Sequence, residues 1–502
     1  VMQWIQLGYL LPLIIVGSGA VFLMLLSPLE RLSMERFSLL TFLILLSALS
    51  SNFYHFGELF TSFPMKEIFS KMLIVDSYSV YFDALILSGA LVTSLIGTHY
   101  FQTKRHFKKE FFSLFLFSVF GMMLLVHANE LLTAFIALEI ASLALYVMIG
   151  FQKIHDKRVE ASYQYLVLGS ISGAFFLLGT AFIYAGLGTT ILGDIGKTLD
   201  MLIGKDVSLI VIGGMFVLVT FLFKISAFPF QNWTIDVYDG SPLPVTAFMA
   251  ATFKVAIFGF VLRLMLIDLD PIRDMWDTLF IVVIIATLLY GTFLAVIQES
   301  LKRMLAASSI VHTGYLLIAF VSIGYAGESA SSSIIYYLIA YFLSSMGAFG
   351  LISYIAADEH IRVTYEDFRG FAHVHPYMAA MLSIFMLSLA GIPSTIGFVG
   401  KFYIFTGAIE AGYTSLAVCG IIATFISIYY YFKLIALMYF YPACDAEWDD
   451  VPSLRGITPI TIGIIAIAVI WGGIGNTFIA YFPGVDFLID TARLSYMSLF
   501  IK

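Results

Sequence analysis

The sequence predicts an all-α polytopic membrane protein with about 14 transmembrane helices, and three observations carry that prediction. Of its 502 residues, 60% are hydrophobic and only 12% charged, with a mean hydropathy of +0.96; soluble domains carry about 25% charged residues. Apolar runs of spanning length, roughly 20 residues each, recur fourteen times along the chain. No hydrophilic stretch between them is long enough for a soluble catalytic domain, so function is expected inside the membrane or at contacts with partner chains.

The runs fall at 7–27, 36–54 and 79–99, then at 111–127, 131–151, 162–187, 207–227 and 243–266, then at 278–298, 304–323, 332–356, 376–410 and 413–438, and last at 457–478. The first lacks a basic leader and continues at spanning length, which favours a retained helix over a cleaved signal. Two of the runs are interrupted. In the seventh, Lys224 precedes Pro229, and Gly240, Pro242 and Pro244 lie beyond; in the twelfth, Gly391 and Pro393 precede Gly397, Gly400 and Lys401. Proline removes a helical hydrogen bond, and broken backbone inside a bilayer is tolerated where protein or a water-filled cavity satisfies it. The two breaks are five runs apart, and an odd offset reverses orientation across the membrane. Residues 1–105 therefore read as helices 1–3, 106–266 as a five-helix repeat (helices 4–8), 267–440 as its inverted copy (helices 9–13), and 441–502 as helix 14 with a short tail. Helices 7 and 12 are expected to be discontinuous, the mark of inverted-repeat transporters. Kinks used only for packing are the rival reading.

Charge orients the chain and excludes some partners. A formal net charge of -7 leaves no footprint for nucleic acid. Loops on one side of the predicted bundle hold fourteen Lys and Arg, from Arg31 to Arg455, and the opposite side, with Arg263 at the end of the eighth run, holds eight. The positive-inside rule then turns both termini away from the cytoplasm, toward the periplasm of a bacterial inner membrane. Cys419 and Cys444 match no metal-ligand spacing. Most histidines, among them His106, His155, His360, His373 and His375, lie in loops, so no axial pair for haem is evident.

Four of the 26 basic residues fall within apolar runs: Lys224, Lys254, Lys401 and Lys433. Lys433, near a run's end, reads as an ordinary snorkelling lysine. The other three join Glu139, nine residues beyond Glu130 in the fifth run, and His312 in SSIVHTGYLL. A lysine at a helix centre costs about 2.5–3.5 kcal/mol on insertion scales. Glu139 with Lys224 is the candidate pair, since facing opposite charges favour each other's charged forms while burial opposes both. One pair would suffice as a staple; a series with a histidine suits proton transfer better than transport of a bulky solute. A packing role for His312 stays open.

At these residues the chain resembles a known family. KRVEASYQYLVLGSISGAFFLLG, FKISAFPFQNWTIDVYDGSPLPVTAFMAATFKVAIF, LKRMLAASSIVHTGYLLIAF and FMLSLAGIPSTIGFVGKFYIF look like the antiporter-like membrane subunits of respiratory complex I, in their subunit N branch, over about residues 70–440. The resemblance implies a fourteen-helix fold and a part in proton translocation coupled to quinone reduction elsewhere in the complex. It assigns Glu139 to modulating Lys224, Lys254 to bridging two half-channels, Lys401 to exchange with the far side, His312 to the histidine of the family's helix-10 motif, and Lys302 to the family's basic residue opening helix 10; a relay by His312 is the role its imidazole suits. It implies no NADH, flavin, quinone or metal site in this chain, so cofactors are expected on partners: quinone-reducing and peripheral redox subunits, with membrane subunits M and K as neighbours, in a lipid bilayer. Sibling M typically carries glutamate at the place of Lys401; sibling L has a lateral arm, for which the residues from 477 onward are too short. Gln231 departs from the histidine common two residues after the proline. An antiporter subunit of a multisubunit cation/proton exchanger and a structural spacer of the membrane arm are the alternatives.

Overall fold

The computed structural model describes residues 8–28, 33–56, 66–103, 107–152, 156–202, 206–326, 328–356, 363–442, 454, 456–475 and 484–499. Eleven helices in it are long and apolar enough to cross a membrane, and Leu11–Leu26, Ser208–Lys224 and Pro376–Ala390 are shorter apolar helices. The fold is all-α and multi-pass. Helices Leu243–Arg263 and Leu301–Ile323 are wholly buried and Ser332–Ile355 nearly so, whereas Met34–Tyr54 and Asp156–Leu187 are mostly exposed. The three buried helices form the axis, and they carry Lys254 and His312. Large apolar side chains such as Phe22, Phe293 and Phe425 are left on the outside, as a protein solvated by lipid requires.

Both interrupted runs break as the sequence predicts, but proline does not set the first break. The helix Ser208–Lys224 ends at Lys224 because Ser226 adopts φ +64, and Ala227 N closes back onto Leu222 O at 2.8 Å. The helix Pro376–Ala390 ends the same way: Gly391 has φ +84 and Ile392 N donates to Leu387 O at 3.0 Å. Both are left-handed caps of the kind glycine favours. The chain resumes as Asn232–Gly240 after the first break and as Ile396–Glu410 after the second. Side chains satisfy the freed backbone. Trp233 Nε1 donates to Phe223 O at 3.1 Å, Thr313 to Ile225 O at 2.7 Å, and Thr287 Oγ1 accepts from Phe228 N at 3.0 Å.

One arrangement occurs twice along the chain. Leu131 N donates to Thr190 O and Leu192 N to Asn129 O, both near 3 Å; Leu301 N donates to Val363 O and Tyr365 N to Glu299 O at similar lengths. The residue before a helix start thus pairs with the segment after the following helix, at positions 129–131 and again at 299–301. Gly121 lies so close to its neighbour that a Cβ would meet Ala141 N, and at Gly291 it would meet Val311 N, twenty residues on in both cases.

Several elements were not foreseen. Strands β1 (Lys66–Ile68) and β2 (Leu73–Val75) form an antiparallel hairpin, anchored where Asn129 N donates to Met72 O at 2.9 Å. A short helix spans Leu192–Met201. Past Ile457–Ile474, the predicted tail contains the helix Val485–Met497, which buries Thr491, Ala492, Ser495 and Tyr496 and packs on the helix Glu328–Ile355. Arg263, at the end of the eighth run, is 4% exposed and ion-paired inside the bundle. Cys444, His106, His155 and His360 lie outside the described residues.

Glu130 is a cap. Its carboxylate accepts from Thr133 N, Thr133 Oγ1 and Thr190 Oγ1, each at 2.7 Å, and so closes the N-terminus of the helix Leu131–Ile149. Glu130→Ala is expected to lower stability by about 1–2 kcal/mol, read as a lower unfolding midpoint in detergent with proton transport by the surviving folded complex unchanged.

Candidate functional site

Lys224, Lys254, Lys401 and His312 are each 3% exposed or less. Lys224 Nζ donates to Ser142 Oγ at 2.8 Å and Tyr146 OH at 3.1 Å, with the Tyr146 and Tyr165 ring centroids 5.5 and 5.7 Å away. Glu139 sits one turn before Ser142 on the same helix face. It is half-buried, a Cβ at Gly173 would touch its Oε1, and that oxygen has no hydrogen-bond partner among the described residues. The expected pair is thus not a contact ion pair: hydroxyls, not the carboxylate, hold the ammonium.

Lys254 opens an α-helical stretch directly after a π-helical turn, Met249–Phe253, a local widening often found at functional positions. Its three donors are all used, on Ser309 O at 2.8 Å, Ser309 Oγ at 2.6 Å and Thr313 Oγ1 at 2.9 Å. Thr313 is the residue that donates to Ile225 O, next to Lys224. Thr313 therefore ties the Lys254 ammonium to the backbone carbonyl of the residue after Lys224. Beyond Lys254 the Tyr341 ring lies 5.3 Å away, and it is tilted against His312 with centroids 4.8 Å apart.

His312 bridges two phenols, with Nδ1 2.6 Å from Tyr337 OH and Nε2 3.2 Å from Tyr431 OH. Tyr315, 5.7 Å from the imidazole, also faces Lys401 at 4.8 Å. Lys401 Nζ donates across the second break to Leu389 O at 2.9 Å and Ala390 O at 3.1 Å, the C-terminal carbonyls of the preceding half-helix, where a cation meets the negative end of the helix dipole. Residues 224, 254, 312 and 401 are brought together in one buried line.

Lys302 is not in that line. Seven residues before Ser309, roughly 10 Å along the helix, it donates to Asp239 O at 2.7 Å and Ser241 O at 2.6 Å, which close the half-helix Asn232–Gly240 at one end of the bundle. Arg303 beside it contacts Asp236 and Asp239. Gln231 is 2% exposed, with its Oε1 unpartnered among the described residues. Lys433 lies over the Tyr365 ring at 4.4 Å.

Sequence reading missed Ser142, Tyr146, Ser309, Thr313 and the tyrosines around His312. Their spacing was visible: Glu139, Ser142 and Tyr146 recur at helical intervals, as do Ser309, His312 and Thr313. It also missed a buried pair outside the line, His127 Nε2 with Asp83 Oδ2 at 2.8 Å, with His127 Nδ1 on Ile74 O at 2.8 Å. No group of three His, Cys, Asp or Glu among the described residues is placed to hold a metal.

The family profile described as NADH:quinone oxidoreductase/Mrp antiporter, TM, matches residues 128–427, the stretch that holds every residue of this line. NADH-quinone oxidoreductase subunit N of Trichlorobacter lovleyi is 37% identical over 401 residues, covering 80% of this chain and 81% of the relative. The chain belongs to the subunit N family. A chain of respiratory complex I from Thermus thermophilus with bound aureothin superposes with a TM-score of 0.76 at 29% identity, over 93% of this chain and 98% of that one. A chain of the Mrp complex from Dietzia sp. DQ12-45-1b reaches 0.84 over 99% of both chains at 17% identity; the subunit N family and that complex share the fold.

Proposed function

We infer that the chain is a proton-translocating subunit of the membrane arm of complex I in a bacterial inner membrane, coupling quinone reduction by partner subunits to proton transfer through Glu139, Lys224, Lys254, His312 and Lys401. The observation that carries this reading is three fully buried lysines held by hydroxyl and carbonyl oxygens, with no ion pair to any of them among the described residues. Such oxygens accept from an amine whether it is charged or neutral, so each site keeps its geometry through a change of protonation. A staple would use a paired charge.

The roles follow the order of contacts. Charge at Glu139 biases Lys224 through space across Ser142. Lys224 exchanges with Lys254 by way of Thr313 and internal water, His312 relays, and Lys401 governs exchange with the far side. Lys302 guards the opposite end, which the loop charges assign to the cytoplasm, with both termini periplasmic. The eleven long helices and three shorter ones read as fourteen spans, and the doubled hydrogen bonds at 129–131 and 299–301 support two five-helix repeats, 106–266 and 267–440, in inverted orientation. Electron donor and quinone sites belong to partner subunits, with M and K as the membrane neighbours.

Lys254→Met in the assembled complex, reconstituted in vesicles, tests the reading. Proton transfer through this chain is expected to fall by roughly 10²-fold or more, the scale of a lost proton-transfer group, and the proton-to-electron ratio to drop with it. A wild-type ratio would favour the spacer. Cation-driven proton flux without quinone reduction would favour the exchanger.

A further inference from the structure

We propose that a second proton-access route reaches His312 along the helix Thr414–Phe440, from Lys433 past Tyr365 to Tyr430 and Tyr431. The proposal rests on the proton-translocating reading above and deepens it. Tyr431 OH lies 3.2 Å from His312 Nε2 and is fully buried. The Tyr430 ring is 4.6 Å from that of Tyr431, and its hydroxyl, also buried, interacts with the Tyr431 side chain without a hydrogen bond of regular geometry to any described residue. A buried hydroxyl without regular hydrogen bonds is an expected place for an ordered water or a functional role. Tyr365 OH donates to Tyr430 O at 2.9 Å, and the half-buried Lys433 caps the Tyr365 ring. Tyr365 is anchored to Glu299 by its backbone, which puts this end of the route at the Lys302 end of the bundle. Lys224 lies in the other proposed repeat, 106–266, so this route enters the line at a different residue.

The transfer is balanced at each step. Tyr431 gives its hydroxyl proton to His312 Nε2 while its oxygen takes one from Tyr430 or from a water lodged against it, and Tyr430 takes its replacement from a water that carries the proton in past Tyr365 from the Lys433 side. Only O–H and N–H bonds form and break, and both phenols end neutral. A packing role alone needs the rings and not the hydroxyls.

The test uses the whole complex in vesicles, with external proton uptake recorded during quinone reduction. Tyr430→Phe and Tyr431→Phe keep the rings. Each is expected to assemble as wild type and to slow proton transfer about tenfold. Site-specific 3-fluorotyrosine at position 431, a more acidic phenol of nearly the same shape, is expected to move the pH profile of uptake to lower pH, which packing would not do. Wild-type uptake in both Phe variants, alongside its loss in Lys224→Ala, overturns the route and leaves the proposed function standing. Wild-type uptake in all three overturns both. Should a Phe variant fail to assemble, an unmoved pH profile in the fluorinated protein overturns the route.

Discussion

Lys224→Ala is expected to stop proton translocation through this chain while the complex still assembles. The side chain ends the first half of the broken helix and, among the described residues, donates only to Ser142 and Tyr146. Both acceptors are hydroxyls, which can turn to other partners or to water filling the vacated space. Had Lys224 and Glu139 formed a contact ion pair, alanine would strand a buried carboxylate and cost about 3–5 kcal/mol; the geometry removes that penalty. Fold and transport therefore separate in this variant. The measurement is the proton-to-electron ratio and turnover of the reconstituted complex beside its yield. Unchanged ratio and turnover would sink the role given to Lys224, and loss of assembly with no other defect would restore the staple.

The reverse outcome is expected at Asp76. Its carboxylate is gripped by the two terminal guanidinium nitrogens of Arg263, at 2.7 and 2.9 Å, and it also caps the helix Ser77–Thr103, accepting from Ser79 N at 2.8 Å while Ser79 Oγ accepts from Asp76 N at 3.0 Å. Asp76→Ala strands a guanidinium that is 4% exposed, and the expected loss is about 3–5 kcal/mol. Replacing both partners, Asp76→Leu with Arg263→Met, is expected to recover all but the cap, about 1 kcal/mol. Burial by itself raises the Asp76 carboxyl, but the Arg263 guanidinium and Ser79 override it and hold it below the usual carboxylate range. A depressed carboxylate contributes stability above its unfolded value, about pH 4, and that contribution fades as pH falls through the lower folded value. Thermal midpoints of wild type and Asp76→Asn should therefore converge only in acid. A gap independent of pH would show that the pair does not fasten these helices.

What could be read from the letters was what periodicity and cost make visible. Lys224, Lys254 and Lys401 stood out because a lysine in an apolar run is expensive, and the breaks stood out through Pro229, Gly391 and Pro393. Hydroxyls carry no such signal: Ser142, Thr313 and Tyr431 look like ordinary members of a helix until a neighbouring helix brings a charge to them. Ser226, which ends the first half-helix, was hidden because a left-handed residue is betrayed by glycine and seldom by serine. The hairpin of β1 and β2 was too short to show alternation. Asp76 and Arg263 are 187 positions apart, a pairing that only packing reveals.

Lys401 reaches back over the second break to hold two carbonyls of the half-helix before it. Two hydrogens reach both carbonyls whether the amine is charged or neutral, so the contacts persist, but only the ammonium adds the attraction of a cation for the negative end of the helix. Should Lys401 exchange protons as proposed, the tension between the two halves of the helix would follow its charge.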